Sequence, residues 1–240
     1  MEFDEFSKYL EEYGKQMNLR FSVKQEENFF RYMNLLIEWN QKINLTAITE
    51  PKEIILKHFI DSLSISKYIE KNMTLVDVGT GAGFPGIPLL IYRDDIKVTL
   101  VDSLNKRLIF LNEVINQLQL DNVEIIHSRV EDFGKNKKYR EKFDIATARA
   151  VANLAVLSEY LIPLVKIGGK CICMKGNTID EEAKKSEKAF NILGAKNSKI
   201  EKIQLPNSDI ERNIVILDKI KSTPVKYPRK AGMPTKEPLL

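Results

Sequence analysis

From residue 74 onward, short apolar runs alternate with segments of helical period, and this alternation leaves few folds open. The runs are Thr74–Val78, Val98–Asp102, Val123–His127, Phe143–Ala148 and Lys170–Lys175. Each is mostly apolar rather than strictly alternating, as expected of strands buried on both faces. Lys106–Leu118 has the period of a crossover helix, with Leu108, Leu111, Ile115 and Leu118 in register. Asn153–Val165 and Thr178–Leu193 supply later helices, the second opened by the capping box Thr178-Ile-Asp-Glu181. Such an alternation builds a doubly wound parallel sheet. Two final strands, Ile200–Leu205 and Asn213–Asp218, are separated only by Pro206–Arg212. A parallel crossover needs about a dozen residues or more, so this pair is antiparallel.

The first 70 residues read differently. Residues 2–18 carry Phe3, Phe6, Tyr9, Leu10 and Tyr13 at helical spacing. Ser22-Val-Lys-Gln25 is a capping box opening a second helix through about Trp39. Pro51 starts a third, with Ile54, Ile55, His58, Phe59, Ser62 and Leu63 on one side. These helices have no sheet of their own and are expected to pack on the α/β segment. The expected organisation is a single domain over 1–240: a helical extension (1–70), an α/β core (71–218) and a basic tail (219–240). No apolar run approaches the roughly 18 residues of a membrane span. The acidic start MEFDEFSKYLEEYGKQ lacks the apolar stretch of a secretory signal, so a cytoplasmic location is expected. The two cysteines, Cys171 and Cys173, read as buried free thiols. With only His58 and His127 beside them they are too few for a zinc site, and no metal is expected.

The first strand ends in Asp77-Val-Gly79-Thr-Gly81-Ala-Gly83-Phe84-Pro-Gly86. Glycines there let the backbone bend with positive φ and approach a ligand closely. The embedded Gly81-x-Gly83-x-x-Gly86 also fits a dinucleotide fingerprint, in which a helix N-terminus holds a pyrophosphate. S-adenosylmethionine (AdoMet) has no phosphate but carries an amino-acid end and a sulfonium cation. Asp77 places a carboxylate at the loop entrance, and Gly79 and Gly81 let the methionine portion lie against the backbone. Asp102, ending the second strand, suits the two ribose hydroxyls of either cofactor. After the third strand, Val130 and Glu131 suit an adenine wall and its amine, although Glu131-Asp132 also suits a plain helix N-terminus. Five parallel strands closed by an antiparallel hairpin is the seven-stranded plan of class I AdoMet-dependent methyltransferases, Rossmann-like but with the last two strands reversed. The hairpin and the spacing of Asp77, Asp102 and Glu131 favour AdoMet over a nicotinamide cofactor.

The fourth strand exits as Asp144-Ile-Ala-Thr-Ala-Arg149-Ala-Val-Ala. It lacks the (Asn/Asp)-Pro-Pro-aromatic motif that grips an exocyclic amine, and a Pro-Cys nucleophile for C5 of a pyrimidine. Ring nitrogens, hydroxyls and protein side chains remain as acceptors. A ring nitrogen with a free lone pair needs no general base, so alignment and water exclusion suffice. No catalytic acid or base is assigned. Arg149, at the end of a central strand, is the candidate for orienting base or cofactor.

Net charge is +4, but it is concentrated. Lys135–Lys142 is a basic loop, and Lys219, Lys221, Lys226, Arg229, Lys230 and Lys236 face a lone Glu237 in the tail. Such a tail is either the footprint of a polyanionic partner or a solvated end.

Several strings resemble the RsmG (GidB) family of bacterial methyltransferases, which form 7-methylguanosine in 16S ribosomal RNA. They are Trp39-Asn40 with Asn44-Leu45-Thr46, His58-Phe-Ile-Asp61-Ser62-Leu63, the loop Asp77–Pro88, Asp102-Ser103 with Lys106-Arg107, Ser128-Arg129, and Thr147-Ala-Arg149-Ala-Val. The last, Tyr227-Pro-Arg229-Lys230-Ala-Gly232-Met-Pro-Thr-Lys-Glu-Pro-Leu239, is long and unusual. The resemblance covers nearly the whole chain. It implies AdoMet contacts at Gly79, Phe84, Val130, Glu131 and Arg149. Following three glycines, Phe84 reads as partly exposed to the ligand, with core packing behind the loop as the alternative. It also implies a guanine in single-stranded 16S rRNA, within the 30S subunit or its precursor, with neither DNA nor membrane as partner. Unstacked loop bases suit such a pocket. RNA contacts are then expected at Arg129, Lys175, Arg229 and Lys230, followed by Lys106 and Arg107, which also read as a solvated helix face. His58 reads as a packing histidine, and Trp39–Thr46 as a turn held by asparagine side chains. The competing readings are a protein or small-molecule methyltransferase and a non-catalytic nucleotide-binding module.

Overall fold

The computed structural model describes residues 1–149, 152–176 and 179–240. Strands β1 (Thr74–Val78), β2 (Lys97–Asp102), β3 (Val123–His127), β4 (Phe143–Ala148), β5 (Val165–Lys175), β6 (Ala195–Gln204) and β7 (Glu211–Lys219) form one sheet. Their order is β3-β2-β1-β4-β5-β7-β6. Neighbours among β1 to β5 pair in parallel, and β7 runs antiparallel between β5 and β6. The strand order changes direction at β1 and β4, the place where open α/β sheets leave a crevice.

Both faces of the sheet are covered, and the strand sequences show it. On one face Leu75, Leu100, Ile145, Ile172, Ile214 and Ile216 join the core beneath the N-terminal helices. On the other, Val76, Val101, Ala146, Cys171, Cys173, Val215 and Leu217 join the core beneath the later ones. Both cysteines are free and buried, as expected. The edges depart from the apolar pattern. Glu124 and His127 of β3 are exposed, as are Lys196, Lys199 and Lys202 of β6. Charged edges discourage pairing with another sheet, and they leave little hydrophobic signal. That is why β6 begins at Ala195 rather than at Ile200. β5 likewise starts at Val165, five positions before the expected Lys170, with a register break where Phe143 and Ile145 pair across to it. Lys166, Ile167 and Gly168 in this first part are exposed.

The helical extension is built from local rules. Helix α1 spans Phe3–Gln16 and buries Phe6, Leu10 and Tyr13. Helix α2 spans Val23–Ile43, and both bonds of its capping box are present: Gln25 N–H to Ser22 Oγ and Ser22 N–H to Gln25 Oε1. It runs past Trp39 and stops where Asn44 turns left-handed. Asn40 then ties the turn, accepting from Leu45 and Thr46 amides and donating to the Thr46 carbonyl. Pro51 opens α3 (Pro51–Ile54), which continues through a π-helical turn (Ile55–Ile60) into α4 (Asp61–Leu63).

Helices α5 (Gly86–Tyr92) and α6 (Asn105–Leu118) lie on the same side as α2. Helix α7 (Val130–Phe133) follows β3, and α8 (Leu154–Leu161) and α9 (Asp180–Leu193) cover the opposite face. Thr178, read as the cap of α9, lies outside the described residues, as do Ala150 and Val151 after Arg149. A short α10 (Met233–Lys236) lies against α8. No helix among the described residues is long and apolar enough to cross a membrane.

Candidate functional site

A cavity of about 410 Å³ opens above the C-terminal ends of β1, β2 and β3, within the size range of small-molecule sites, roughly 300–1,000 Å³. Its wall includes Gly79, Asp102, Ser103, Val130, Leu157 and Tyr160. Gly79, Gly81 and Gly83 all have positive φ. At Gly79, with φ of 67°, an added Cβ would meet nothing within 4 Å, so the backbone faces open space. Gly83 is small for another reason: a Cβ would come within 2.7 Å of both Ile87 and the Tyr32 hydroxyl. Tyr32, fully buried on α2, donates that hydroxyl to the Ala82 carbonyl at 2.5 Å. The helical extension therefore shapes the glycine loop.

Asp77 does not line the cavity. It is wholly buried, and its Oδ2 accepts from Thr80 Oγ1 (2.6 Å) and Gly86 N–H (2.9 Å), so it folds the loop from beneath. Its Oδ1 has no partner. Burial, outweighing these two bonds, pushes the carboxyl up to about 6. The expectation that Asp77 faces the cofactor is corrected accordingly: strand alternation turns its side chain toward α5 rather than toward the cavity.

Asp102 does line the cavity, although its side chain is only 2% exposed. Oδ1 accepts from Leu104 N–H (2.9 Å), and Oδ2 accepts from Gly81 N–H (3.0 Å) and Arg107 Nη1 (3.1 Å). Gly81 thus contributes its amide to Asp102. Val130 and Glu131 also lie on the wall. Glu131 accepts from the Gly232 amide at 3.0 Å, so this corner touches the C-terminal tail. Sequence reasoning did not single out Leu157 and Tyr160, the wall that α8 contributes. They come from a distant helix, and no spacing rule connects them to the loop.

Phe84 and Arg149 are elsewhere. Phe84 is 5% exposed and stacks on His58, with ring centroids 4.3 Å apart. The Arg149 guanidinium lies 4.8 Å from the same ring. Arg149 donates to the Lys57 carbonyl (2.9 Å) and to His58 Nδ1 (2.9 Å), and lies 3.4 Å from Asp61 Oδ2. Phe84 is therefore packed rather than open, Arg149 does not line the cavity, and the helical extension packs against both. Asp61, nearly fully buried, also pairs with Arg212 at 3.2 Å. This cluster joins the extension to the end of β4.

His58 is the packing histidine expected. Burial, reinforced by the Arg149 guanidinium, pushes it down to about 3. The neutral ring accepts from Arg149 at Nδ1 and donates from Nε2 to Thr46 Oγ1 at 2.8 Å. An unfolded histidine titrates at 6.5, so between that pH and about 3 the unfolded chain binds a proton that the fold does not. Stability from His58 is fully present above pH 6.5 and is lost as pH falls through that window. Asp77 acts in the opposite sense: its raised pKa favours the fold at low pH, and this contribution is lost as pH rises through about 6. Comparing a His58 variant with the parent cancels the Asp77 contribution. His58→Gln is expected to destabilise less at pH 4.5 than at pH 7.5, by roughly 2–3 kcal/mol in denaturant titrations. Equal destabilisation at both pH values would mean that the buried ring titrates normally.

The charged residues expected on RNA divide into two groups. Arg129 and Lys230 are exposed, as are Lys106 and the lysines at 135, 137 and 138. Lys175 is half-buried, donating to the Ala152 carbonyl (2.7 Å) and pairing with Glu182 (2.9 Å). Arg229 grips Glu159, whose side chain is fully buried, through its own amide (2.8 Å), Nε (3.0 Å) and Nη2 (2.7 Å). Lys175 and Arg229 are therefore internal ties as well as expected RNA contacts. Much of the basic tail is packed rather than solvated. Arg140 holds the carbonyls of Thr223 and Tyr227, and Tyr227 is buried. Among the described residues, no group of three or more His, Cys, Asp or Glu side chains is placed to hold a metal ion.

The strand order with its reversed β7, and a cavity over the β1–β2 ends, define a class I AdoMet-dependent methyltransferase. The same fold is found in solved structures of distant sequence. The TYW2 protein of M. jannaschii in complex with AdoMet is 16% identical, with a TM-score of 0.53 over 67% of this chain and 75% of that one. The ribosomal protein L11 methylase of Lactobacillus delbrueckii subsp. bulgaricus is 15% identical, with a TM-score of 0.52 over 69% and 79%. The family model GidB, rRNA small subunit methyltransferase G, matches residues 25–215. A ribosomal RNA small subunit methyltransferase G from Clostridium perfringens is 54% identical over 93% of this chain and 94% of its own. One from Desulforamulus reducens is 53% identical over 96% and 97%. This chain belongs to the rRNA small subunit methyltransferase G family.

Proposed function

We propose that this protein transfers a methyl group from AdoMet to N7 of a guanine in 16S ribosomal RNA. The observation that carries the proposal is the near full-length identity of about half of all positions with small subunit methyltransferases G. The cavity supports it chemically. Gly79 offers backbone with no side chain in the way, Asp102 offers a carboxylate at the end of β2, and Val130 and Leu157 offer apolar wall. A methionine portion, a ribose diol and an adenine ring need these three environments. Asp77 and Gly81 would serve indirectly, by shaping the loop and by orienting Asp102.

Bound AdoMet supplies a methyl group already activated by a positive sulfur. Among the described residues, the wall carboxylates Asp102 and Glu131 both accept hydrogen bonds from the protein backbone. No general base is assigned on this wall. This suits a ring nitrogen, whose lone pair attacks without deprotonation. The protein's task is then to hold acceptor and donor in line and exclude water. Arg129, Lys106 and Lys230 are exposed and suit phosphate contacts. A substrate within the 30S subunit or its precursor, and a cytoplasmic location, follow from this reading, as does one catalytic unit over residues 1–240.

Mass spectrometry of 16S rRNA from a strain lacking the gene tests the proposal. One 7-methylguanosine is expected to disappear and to return on complementation. Unchanged 7-methylguanosine at every site would reject it.

A further inference from the structure

The hydrogen bonds around Asp102 contain a conflict. Its two oxygens already receive Leu104 N–H, Gly81 N–H and Arg107 Nη1. A carboxylate has room for about four hydrogen bonds, so one place remains. A ribose cis-diol brings two donors. One of the present partners must therefore leave, and two of them cannot. The Gly81 amide belongs to a loop tied by Gly79 N–H to the Val101 carbonyl and by Gly83 N–H to the Thr80 carbonyl. The Leu104 amide sits at the cap of α6. Arg107 alone is a side chain, one-third exposed, at the rim of the cavity.

We propose that Arg107 is a cofactor-displaced cation: ribose binding at Asp102 releases its guanidinium to the cavity mouth, where it binds an RNA phosphate. This rests on the AdoMet reading of the cavity. Released, Arg107 stands in the first turn of α6, which contains no acidic residue. A cation near a helix N-terminus is unfavourable unless an anion accompanies it. Lys106 and Arg129 are exposed beside it and Arg129 shares the cavity rim, so a phosphate would meet a cluster rather than an isolated charge. The ion pair Arg107–Asp102 competes with the cofactor, and RNA competes with Asp102 for Arg107. Cofactor and RNA thereby favour each other's binding by the same factor.

The test is binding, not turnover. S-adenosylhomocysteine is the probe because it keeps the ribose and lacks the sulfonium charge. Its own affinity is measured first by calorimetry. A short single-stranded oligoribonucleotide is then titrated across a salt series, with and without it. In the wild type the cofactor product is expected to tighten RNA binding about three- to tenfold, and to steepen the salt slope by roughly 0.7, one added phosphate contact. Arg107→Ala and the stem-retaining Arg107→Met are expected to bind the nucleoside at least as tightly as wild type while losing the coupling. Equal RNA affinity and slope with and without bound nucleoside in the wild type would overturn the proposal. So would weaker nucleoside binding in both variants, which would make Arg107 a support for Asp102. Failure of the wild type to bind the nucleoside at all would overturn the cofactor assignment and this inference together.

Discussion

Gly79→Val is expected to raise the Kd for AdoMet by about 100-fold or more, close to loss of binding in calorimetry. Two effects act together. The missing Cβ at Gly79 points into open space on the cavity wall, so a branched side chain would stand where the ligand must lie. The φ of 67° also disfavours a β-branched residue, straining the loop by about 1–3 kcal/mol. Such strain is a fraction of the stability of a domain this size, so the far-ultraviolet circular dichroism should remain native. Gly79→Ala should fall between the two. Native affinity in Gly79→Val would mean that the cavity over β1 and β2 is not the cofactor site.

Arg229→Ala is expected to cost about 3 kcal/mol of stability, because it leaves a carboxylate buried without its counter-charge. Glu159 is fully buried, and Arg229 supplies its amide, Nε and Nη2 to it. For a chain of this size the expected fall in Tm is roughly 6–12 °C. AdoMet affinity should weaken too, since the tail that Arg229 anchors delivers the Gly232 amide to Glu131 on the cavity wall. Lys230→Ala, one residue further on and exposed, should leave Tm and AdoMet binding unchanged and flatten only the salt dependence of RNA binding. A Tm within a degree of wild type in Arg229→Ala would return Arg229 to the solvated surface.

These two residues also show what a sequence reveals of its own site. The glycine loop, Asp102 and the Val130–Glu131 corner were legible as parts of the cavity wall because each sits at or just beyond the end of a strand. Strand ends are recognisable when both faces of a strand are buried, and β1 and β4 have the expected bounds. The capping box of α2 was legible because its four residues are contiguous. Charge partners were not. Arg149 meets Asp61, Lys175 meets Glu182, and Arg229 meets Glu159. The partner that neutralises each cation lies on another element, and a string of basic residues looks the same whether paired or free. The packing around Phe84 was hidden for a related reason. Its neighbours His58 and Tyr32 come from helices whose docking no local pattern specifies. The extension, expected only to pack on the core, reaches the glycine loop through the Tyr32 hydroxyl and the end of β4 through Arg149. The edge strand β6 was underestimated because its exposed, charged residues carry no apolar signature.

The decisive measurement is transfer of labelled methyl from AdoMet by the purified protein to 30S subunits that lack the modification, with nucleoside analysis of the extracted RNA. The label is expected in 7-methylguanosine from 16S rRNA, with none in ribosomal protein. Label in another nucleoside or in protein, or no transfer by a protein that binds AdoMet, would contradict the assignment.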